Sequence, residues 1–544
     1  MQSQLFQYVF LILIILALIM ISEKLRIAYP IVLVVGGLGL SFIKEFSEIT
    51  IDPELIFFLF LPPLLYEAAW QTSWKEFWKW RRVIMSFAFP IVIITSCVVA
   101  YVSSTIIPGF TLALGFLLGG IISPPDAISA TTIMRNVEVP KSLVSIIEGE
   151  SLLNDASSLI VVRFALAAII TGQFHLHEAA GSFALVIVMG TAIGLLVGLL
   201  FYVIHRWLPT TSNIEVVLTL VTPYCMYCAA EYFHFSGVLA VVSGGLLLSN
   251  KRQSMLTYRS RIEGMNVWTN VVFVFNGLVF LLIGLQMVSI TEQLGDVSLM
   301  RALWYGLAIS FVLIFTRLVC TFGSAVFTRF ISRFMTVADA NPGWQMPLIS
   351  GLAGMRGVVS LAAALSVPFL LHKGQAFPYR NLILFITFVV ILVTLILQGL
   401  TLPWVIKKVN LDDKFGMISE DQQGIILQKK IAQSSLRFLT ENYADALEVN
   451  EHLQILQERL RLDSRFFKTK RGQEGLNEDK AASLANYQRI YLELLEAQRS
   501  LLEEMNQREE FDDDVIKKYL SLVDMEELKV QERLLPDVDT INGA

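Results

Sequence analysis

Charged residues are scarce in this chain. Asp, Glu, Lys and Arg make up 16% of its 544 residues, where a soluble domain carries about 25%. Cysteine is nearly absent. The four present, Cys97, Cys225, Cys228 and Cys320, all fall in apolar stretches, so no disulfide framework is implied and no redox compartment is indicated. Cys225 and Cys228 have CxxC spacing, but no second Cys or His pair lies nearby, and buried thiols on one helical turn are the expectation. Six histidines stand mostly in loops or near the ends of apolar runs, without metal-ligand spacing. The apolar segments contain no H-E-x-x-H and no convincing Ser–His pair, which argues against an intramembrane enzyme. No glycine-rich phosphate loop follows a strand pattern, and neither a filter-like loop nor a repeated pore segment appears. The first apolar run, 5–21, lacks a basic n-region and an A-x-A cleavage site, so it reads as a retained helix rather than a signal peptide. No cofactor and no nucleic-acid partner is expected.

What the chain has in abundance is apolar residues, 55% of the total, with a mean hydropathy of +0.61. Runs near 20 residues, about the length that spans a bilayer, are read at approximately 5–21, 27–43, 54–70, 83–106, 111–134, 143–169, 181–204, 214–232, 235–249, 266–289, 300–328, 346–371 and 379–405. That makes thirteen, with 235–249 short enough to be broken or tilted. An odd number puts the two termini on opposite sides. With the N-terminus outside, the inside loops hold Lys24, Arg26, Lys75, Lys79, Arg81, Arg82, Arg135, Lys141, Arg206, Lys251, Arg252, Arg259, Arg261, Arg329, Arg333, Lys407 and Lys408. The outside loops hold only Lys44, Arg301, Lys373 and Arg380. This bias obeys the positive-inside rule. Charge is also segregated along the chain: from Asn410 onward stand 18 Lys/Arg and 28 Asp/Glu, about half the total in a quarter of the length. A membrane domain over 1–408 and an acidic, helical, cytoplasmic domain over 409–544 follow.

Against that apolar background one short run stands out: Glu150-Ser151-Leu152-Leu153-Asn154-Asp155. A charged side chain at mid-bilayer costs roughly 2.5–3.5 kcal/mol on insertion scales, so such residues usually face a protein interior or a water-filled cavity and mark an ion or proton path. Residues 150 and 154 share a helix face, as do 151 and 155. Asp155 is the first candidate for a carrier, because one carboxylate can bind a hard cation or a proton but not both. Two stretches interrupt the helical pattern within the membrane: Ser123-Pro124-Pro125-Asp126, where proline removes amide donors, and Gly351-Leu-Ala-Gly354-Met-Arg356-Gly357. Paired interruptions in two halves of a chain point to a transporter site. If spans 1–6 and 8–13 are repeats, the interruptions occupy the fifth span of each, and the seven-span offset makes the repeats inverted. Asp126 reads as a cap on a half-helix starting at Ala127, a role compatible with ligand duty. Arg356 is paired with Glu150, with a backbone-carbonyl contact in the break as the alternative. Glu67, Arg163 and Arg317 read as structural.

These residues lie in segments that converge on a family. Phe58-Leu-Phe-Leu-Pro-Pro-Leu-Leu-Tyr-Glu67, Ile122-Ser-Pro-Pro-Asp-Ala127, Glu148-Gly-Glu-Ser-Leu-Leu-Asn-Asp155, Phe235-Ser-Gly-Val-Leu-Ala240, Gly354-Met-Arg-Gly357 and Gln398-Gly-Leu-Thr401 occur in order over nearly the whole membrane domain. In them the chain resembles the bacterial sodium/proton exchangers of the cation–proton antiporter superfamily, of the NhaP/NHE type. The resemblance implies an all-α polytopic membrane fold of about thirteen helices with inverted repeats and broken helices. It implies a homodimer in the cell membrane whose core domain moves against the dimer domain. It places the exchanged ion at Asp155, with Ser151 and the unwound region at Asp126 contributing and Asn154 in support, and it pairs Glu150 with Arg356. An Asn–Asp pair in place of the Asp–Asp of electrogenic relatives implies electroneutral exchange of one H⁺ for one Na⁺. The chain departs from many relatives at Pro125 and Ala127, around Asp126, which leaves selectivity among Na⁺, Li⁺ and K⁺ open. A K⁺/H⁺ antiporter is the rival within the class, and a cation channel the rival outside it.

The tail shows helical periodicity at Tyr487, Ile490, Leu494, Ala497 and Leu501, and Gly472–Lys480 reads as a linker. Two heptads do not establish a coiled coil. A solvated helical appendage and a regulatory or dimer-supporting domain are both open.

Overall fold

Proline and glycine mark the breaks that matter most in this protein, although Pro62, Pro63, Pro223 and Pro403 lie inside continuous helices. The computed structural model describes residues 2–25, 27–43, 46, 53–134, 137, 139–172, 176–292, 294, 297–334, 337, 339, 343–371, 375–409, 420–470, 478–506 and 513–534. Among the described residues, regular structure is helical throughout, apart from one isolated antiparallel bridge between Leu370 and Ala376. The chain divides into two compact units, Met1–Asp412 and Asp413–Ala544.

The first unit runs α1 (Gln2–Leu25), α2 (Tyr29–Leu40), α3 (Pro53–Gln71), α4 (Trp74–Ser86), α5 (Val92–Ile106), α6 (Leu112–Ile122), α7 (Ala127–Met134), α8 (Lys141–Thr171), α9 (Leu176–Trp207), α10 (Ser212–Tyr232), α11 (Gly237–Met255), α12 (Tyr258–Leu285), α13 (Met287–Glu292), α14 (Leu299–Ile331), α15 (Gln345–Leu352), α16 (Val358–Leu365) and α17 (Arg380–Val409). Eight helical segments among the described residues are long and apolar enough to cross a membrane. Their outer faces carry large apolar side chains such as Leu196, Phe311 and Phe315, and a helix satisfies its own backbone where no water can. The helix expected over 235–249 is longer than its apolar run. Ser236 Oγ accepts the Leu239 amide at its start, and it continues through Lys251 and Arg252 to Met255. Small residues let neighbours approach closely: Gly190, Gly194 and Gly198 of α9 lie against the N-cap Ser236 and against Ala240 and Gly244 of α11.

Both expected interruptions are present. Pro124 and Pro125 separate α6 from α7, and residues 353–357 separate α15 from α16. A third irregularity had no counterpart in the sequence reading. Between α4 and α5 the helix widens into a π-turn, Phe87–Ile91, around Pro90, where the missing amide breaks the regular ladder. The expected burial of Cys225 and Cys228 is corrected: all four cysteines are free thiols, with Cys228 and Cys97 exposed at the protein surface and Cys225 and Cys320 only half-buried. Outward-facing apolar helix faces accommodate a thiol as readily as the core does.

The second unit comprises α18 (Glu420–Asn442), α19 (Ala444–Val449), α20 (Glu451–Lys470), α21 (Glu478–Asn506) and α22 (Asp513–Leu534). Of the expected linker, residues 472–477 lie outside the described residues and Glu478–Lys480 begin α21. Leu495 is buried, and Arg499 donates to Glu496, Asp524 and Glu527, joining α21 to α22. Those three acceptors hold the guanidinium proton more firmly than usual. The periodic apolar stripe is exposed at Ile490, Leu494, Ala497 and Leu501. Arg499, which meets Asp524 and Glu527 of α22, lies off that stripe.

Candidate functional site

The site is built on α8. The helix starts after Pro140 and ends at Gly172, whose φ of 71° is the left-handed conformation glycine adopts without strain. Between these limits Glu150, Ser151, Asn154 and Asp155 fall on adjacent turns, with Glu150, Asn154 and Asp155 buried. The hydroxyls of Ser157 and Ser158 donate to Ala88 O and Gly120 O, each at 2.7 Å, so α8 is held by polar bonds to the π-turn and to α6.

The break between α6 and α7 lies against this face. Ala127 N donates to Ser151 Oγ at 3.2 Å, and Asn154 Nδ2 donates to Pro125 O at 3.4 Å. Asn154 is fully buried, and its Oδ1 has no protein partner. Asp126 caps α7 as expected: its carboxylate accepts from Ile128 N at 3.1 Å, Ser129 N at 3.3 Å and Ser129 Oγ at 2.6 Å. Asp155, 6% exposed, lies within reach of the charge on Asp126. Among the described residues, no protein group donates a hydrogen bond to its carboxylate. The structure therefore brings Asp126, Ser151, Asn154 and Asp155 together.

The two breaks also touch each other. Asp126 N donates to Met355 O at 2.7 Å. Gly357 passes so close to Asp126 that a Cβ there would overlap Oδ2, and a Cβ on Gly354 would overlap the Arg317 side chain. Any larger residue at either point would force its neighbour to move. Arg356 fills the crossing. It donates through Nε to Ile122 O at 2.9 Å, through Nη2 to Ser123 O at 3.4 Å, and through Nη1 to Gly354 O, while its own amide donates to Thr394 Oγ1. These carbonyls belong to the C-terminal end of α6 and to the second break, where orphan acceptors gather. A cation there answers the same need at one pole that Asp126 answers at the N-terminus of α7.

The expected Glu150–Arg356 pair is corrected. Glu150 accepts two bonds from Arg317 of α14, Nη1 at 2.8 Å and Nη2 at 3.0 Å, and Arg317 Nη2 also donates to Ser350 O at 3.2 Å. Arg317 reaches the carboxylate as a planar fork, and Arg356 is committed to backbone carbonyls. Arg163 pairs with Glu231 and donates to Phe235 O, and Glu67 accepts from Gln71; neither contact joins the site residues. Sequence reading missed Ser129, Ser157 and Ser158. Ser129 had a signal, as the hydroxyl three residues beyond a capping Asp.

The sequence profile of the family described as "Sodium/hydrogen exchanger, transmembrane" matches residues 10–408. The chain belongs to the sodium/hydrogen exchanger family. Among family relatives, a "Sodium, potassium, lithium and rubidium/H(+) antiporter" of Bacillus pumilus is 31% identical over 447 residues, covering 79% of this chain and 65% of that protein. An uncharacterized Na(+)/H(+) exchanger of Escherichia coli, YjcE, is 30% identical over 531 residues, covering 93% and 95%. The fold of this exchanger-family chain is similar to that of the sodium proton antiporter MjNhaP1 from Methanocaldococcus jannaschii at pH 8, with a TM-score of 0.60 and 17% identity over 75% of this chain and 99% of that one. The chain is thus a multi-pass membrane protein of the family, with the NhaP1 fold.

Proposed function

We propose that this protein is a secondary antiporter exchanging H⁺ for Na⁺ by alternate loading of Asp155. The observation that carries the proposal is a buried carboxylate with no protein donor, beside a backbone break and a second acid already engaged as a helix cap. An uncompensated charge at this depth is costly, so a proton or a cation on Asp155 lowers the cost of moving the site between the two sides. Ser151, Asn154 and the Asp126 break supply oxygen ligands or hold the backbone that does. Since Asp126 accepts three bonds as a cap, one acid is left to exchange a proton, which supports a one-for-one electroneutral cycle. The protein is a transporter without enzymatic chemistry. It acts as a homodimer of thirteen-helix, inverted-repeat protomers in lipid at the cell membrane, with the N-terminus outside and the tail in the cytoplasm. The Bacillus pumilus relative's name includes potassium, lithium and rubidium, which favours K⁺/H⁺ exchange as the second reading.

Reconstituted in sealed vesicles with a fixed pH gradient, the protein is expected to dissipate the gradient on addition of Na⁺ or Li⁺, and Asp155→Asn to abolish the response. A response to K⁺ alone would change the substrate and keep the mechanism. Full exchange by Asp155→Asn would reject Asp155 as the carrier.

A further inference from the structure

The segment Trp74–Ile106 is helical, through its π-turn, over 33 residues. At 1.5 Å per residue that is about 50 Å, against a hydrocarbon core of about 30 Å. The excess lies at one end, where α4 places Trp74, Lys75, Trp78, Lys79, Arg81 and Arg82 within nine residues. At 100° per residue these six occupy one face of the helix. Trp74 is 40% exposed and Trp78 54%. Their rings stack at 5.7 Å, with the Arg81 guanidinium 4.4 Å from the centre of the Trp78 ring. The single acid in the stretch, Glu76, accepts from Trp80 Nε1 at 3.2 Å and lies 3.8 Å from Lys79 Nζ. The opposite face is fixed: Trp80 and Ile84 are buried, and Ile84 packs so tightly on Gly149 of α8 that an added Cβ would come within 2.6 Å.

We infer that this face of α4 binds the headgroups of anionic phospholipids. Indole rings partition to the level of the headgroups, and cations beside them are attracted to a negatively charged leaflet. The stacked Trp74–Trp78 pair sets the depth at which the cations meet phosphate. Because the buried face rests on Gly149, next to Glu150, the lipid contact is transmitted to the helix that carries Asp155.

The test uses the full chain in vesicles of zwitterionic phospholipid, to which brominated phosphatidylglycerol or brominated phosphatidylcholine is added at equal mole fraction, with quenching of tryptophan fluorescence as the readout. The anionic lipid is expected to quench more strongly, and the excess to vanish in the Trp74→Phe, Trp78→Phe variant. Each cation near an anionic leaflet contributes a factor of about five, so changing Lys75, Lys79, Arg81 and Arg82 to Gln should weaken the anionic preference by at least roughly tenfold. High salt should weaken it in the wild type. Melting temperature and elution volume check folding; should the fourfold variant fail there, Lys75→Gln with Arg81→Gln is read instead. Equal quenching by both lipids in the wild type, or an undiminished anionic preference in a folded charge variant, overturns the inference.

Discussion

Replacing Glu150 removes one charge from a pair sealed inside the membrane unit. Both side chains are at most 2% exposed, and the guanidinium left behind keeps only Ser350 O, since Arg317 Nε has no protein partner. Hydrogen bonds to charged groups contribute about 1.5–3 kcal/mol each, and breaking one partner of a buried pair costs about 3–5 kcal/mol in all. Glu150→Gln, which keeps one acceptor, is expected near 3 kcal/mol, and Glu150→Ala, which also leaves a cavity, near the upper limit. The measurement is unfolding in detergent micelles, run as two double-mutant cycles. Glu150→Gln with Arg317→Met should show a coupling of about 2–3 kcal/mol, and Glu150→Gln with Arg356→Met less than about 0.5 kcal/mol. The double replacement of Glu150 and Arg317 should be milder than the sum of the two single ones, because no lone buried charge remains. Coupling found in the Arg356 cycle and absent from the Arg317 cycle would refute the pairing.

Two further outcomes follow from the crossing. Gly357→Ala forces a methyl group against Asp126 Oδ2, and exchange should fall by more than about tenfold in protein that still reaches the membrane; wild-type exchange rates would show that the close approach is dispensable. An imposed potential should leave the exchange ratio unchanged if one charge moves each way, whereas one net charge per cycle shifts the equilibrium by about 2.3 kcal/mol per 100 mV. A shift of that size would restore a proton to Asp126.

The breaks were legible because proline and glycine act locally, and the cap at Asp126 because a carboxylate before a half-helix has an obvious use. The burial of Asp155 was legible from the cost of charge in an apolar run. Pairing was not: Arg317 and Arg356 are both intramembrane cations remote from Glu150 in sequence, and only packing decides which one the carboxylate meets. The π-turn was missed because Pro90 sits in a run whose apolar pattern continues undisturbed on both sides. In the tail, periodicity marked an apolar stripe that is exposed at Ile490, Leu494 and Leu501, while Arg499, off that stripe, is a residue that meets α22. Apolar spacing gives the amphipathic axis, not the partner.

The bond from Asp126 N to Met355 O has a genetic consequence. It makes two interruptions, encoded far apart, into one heritable object. A change that loosens the first break will find its suppressors at the second sooner than among its own sequence neighbours, and two chains of this kind that exchanged halves would inherit a junction neither had been selected to close.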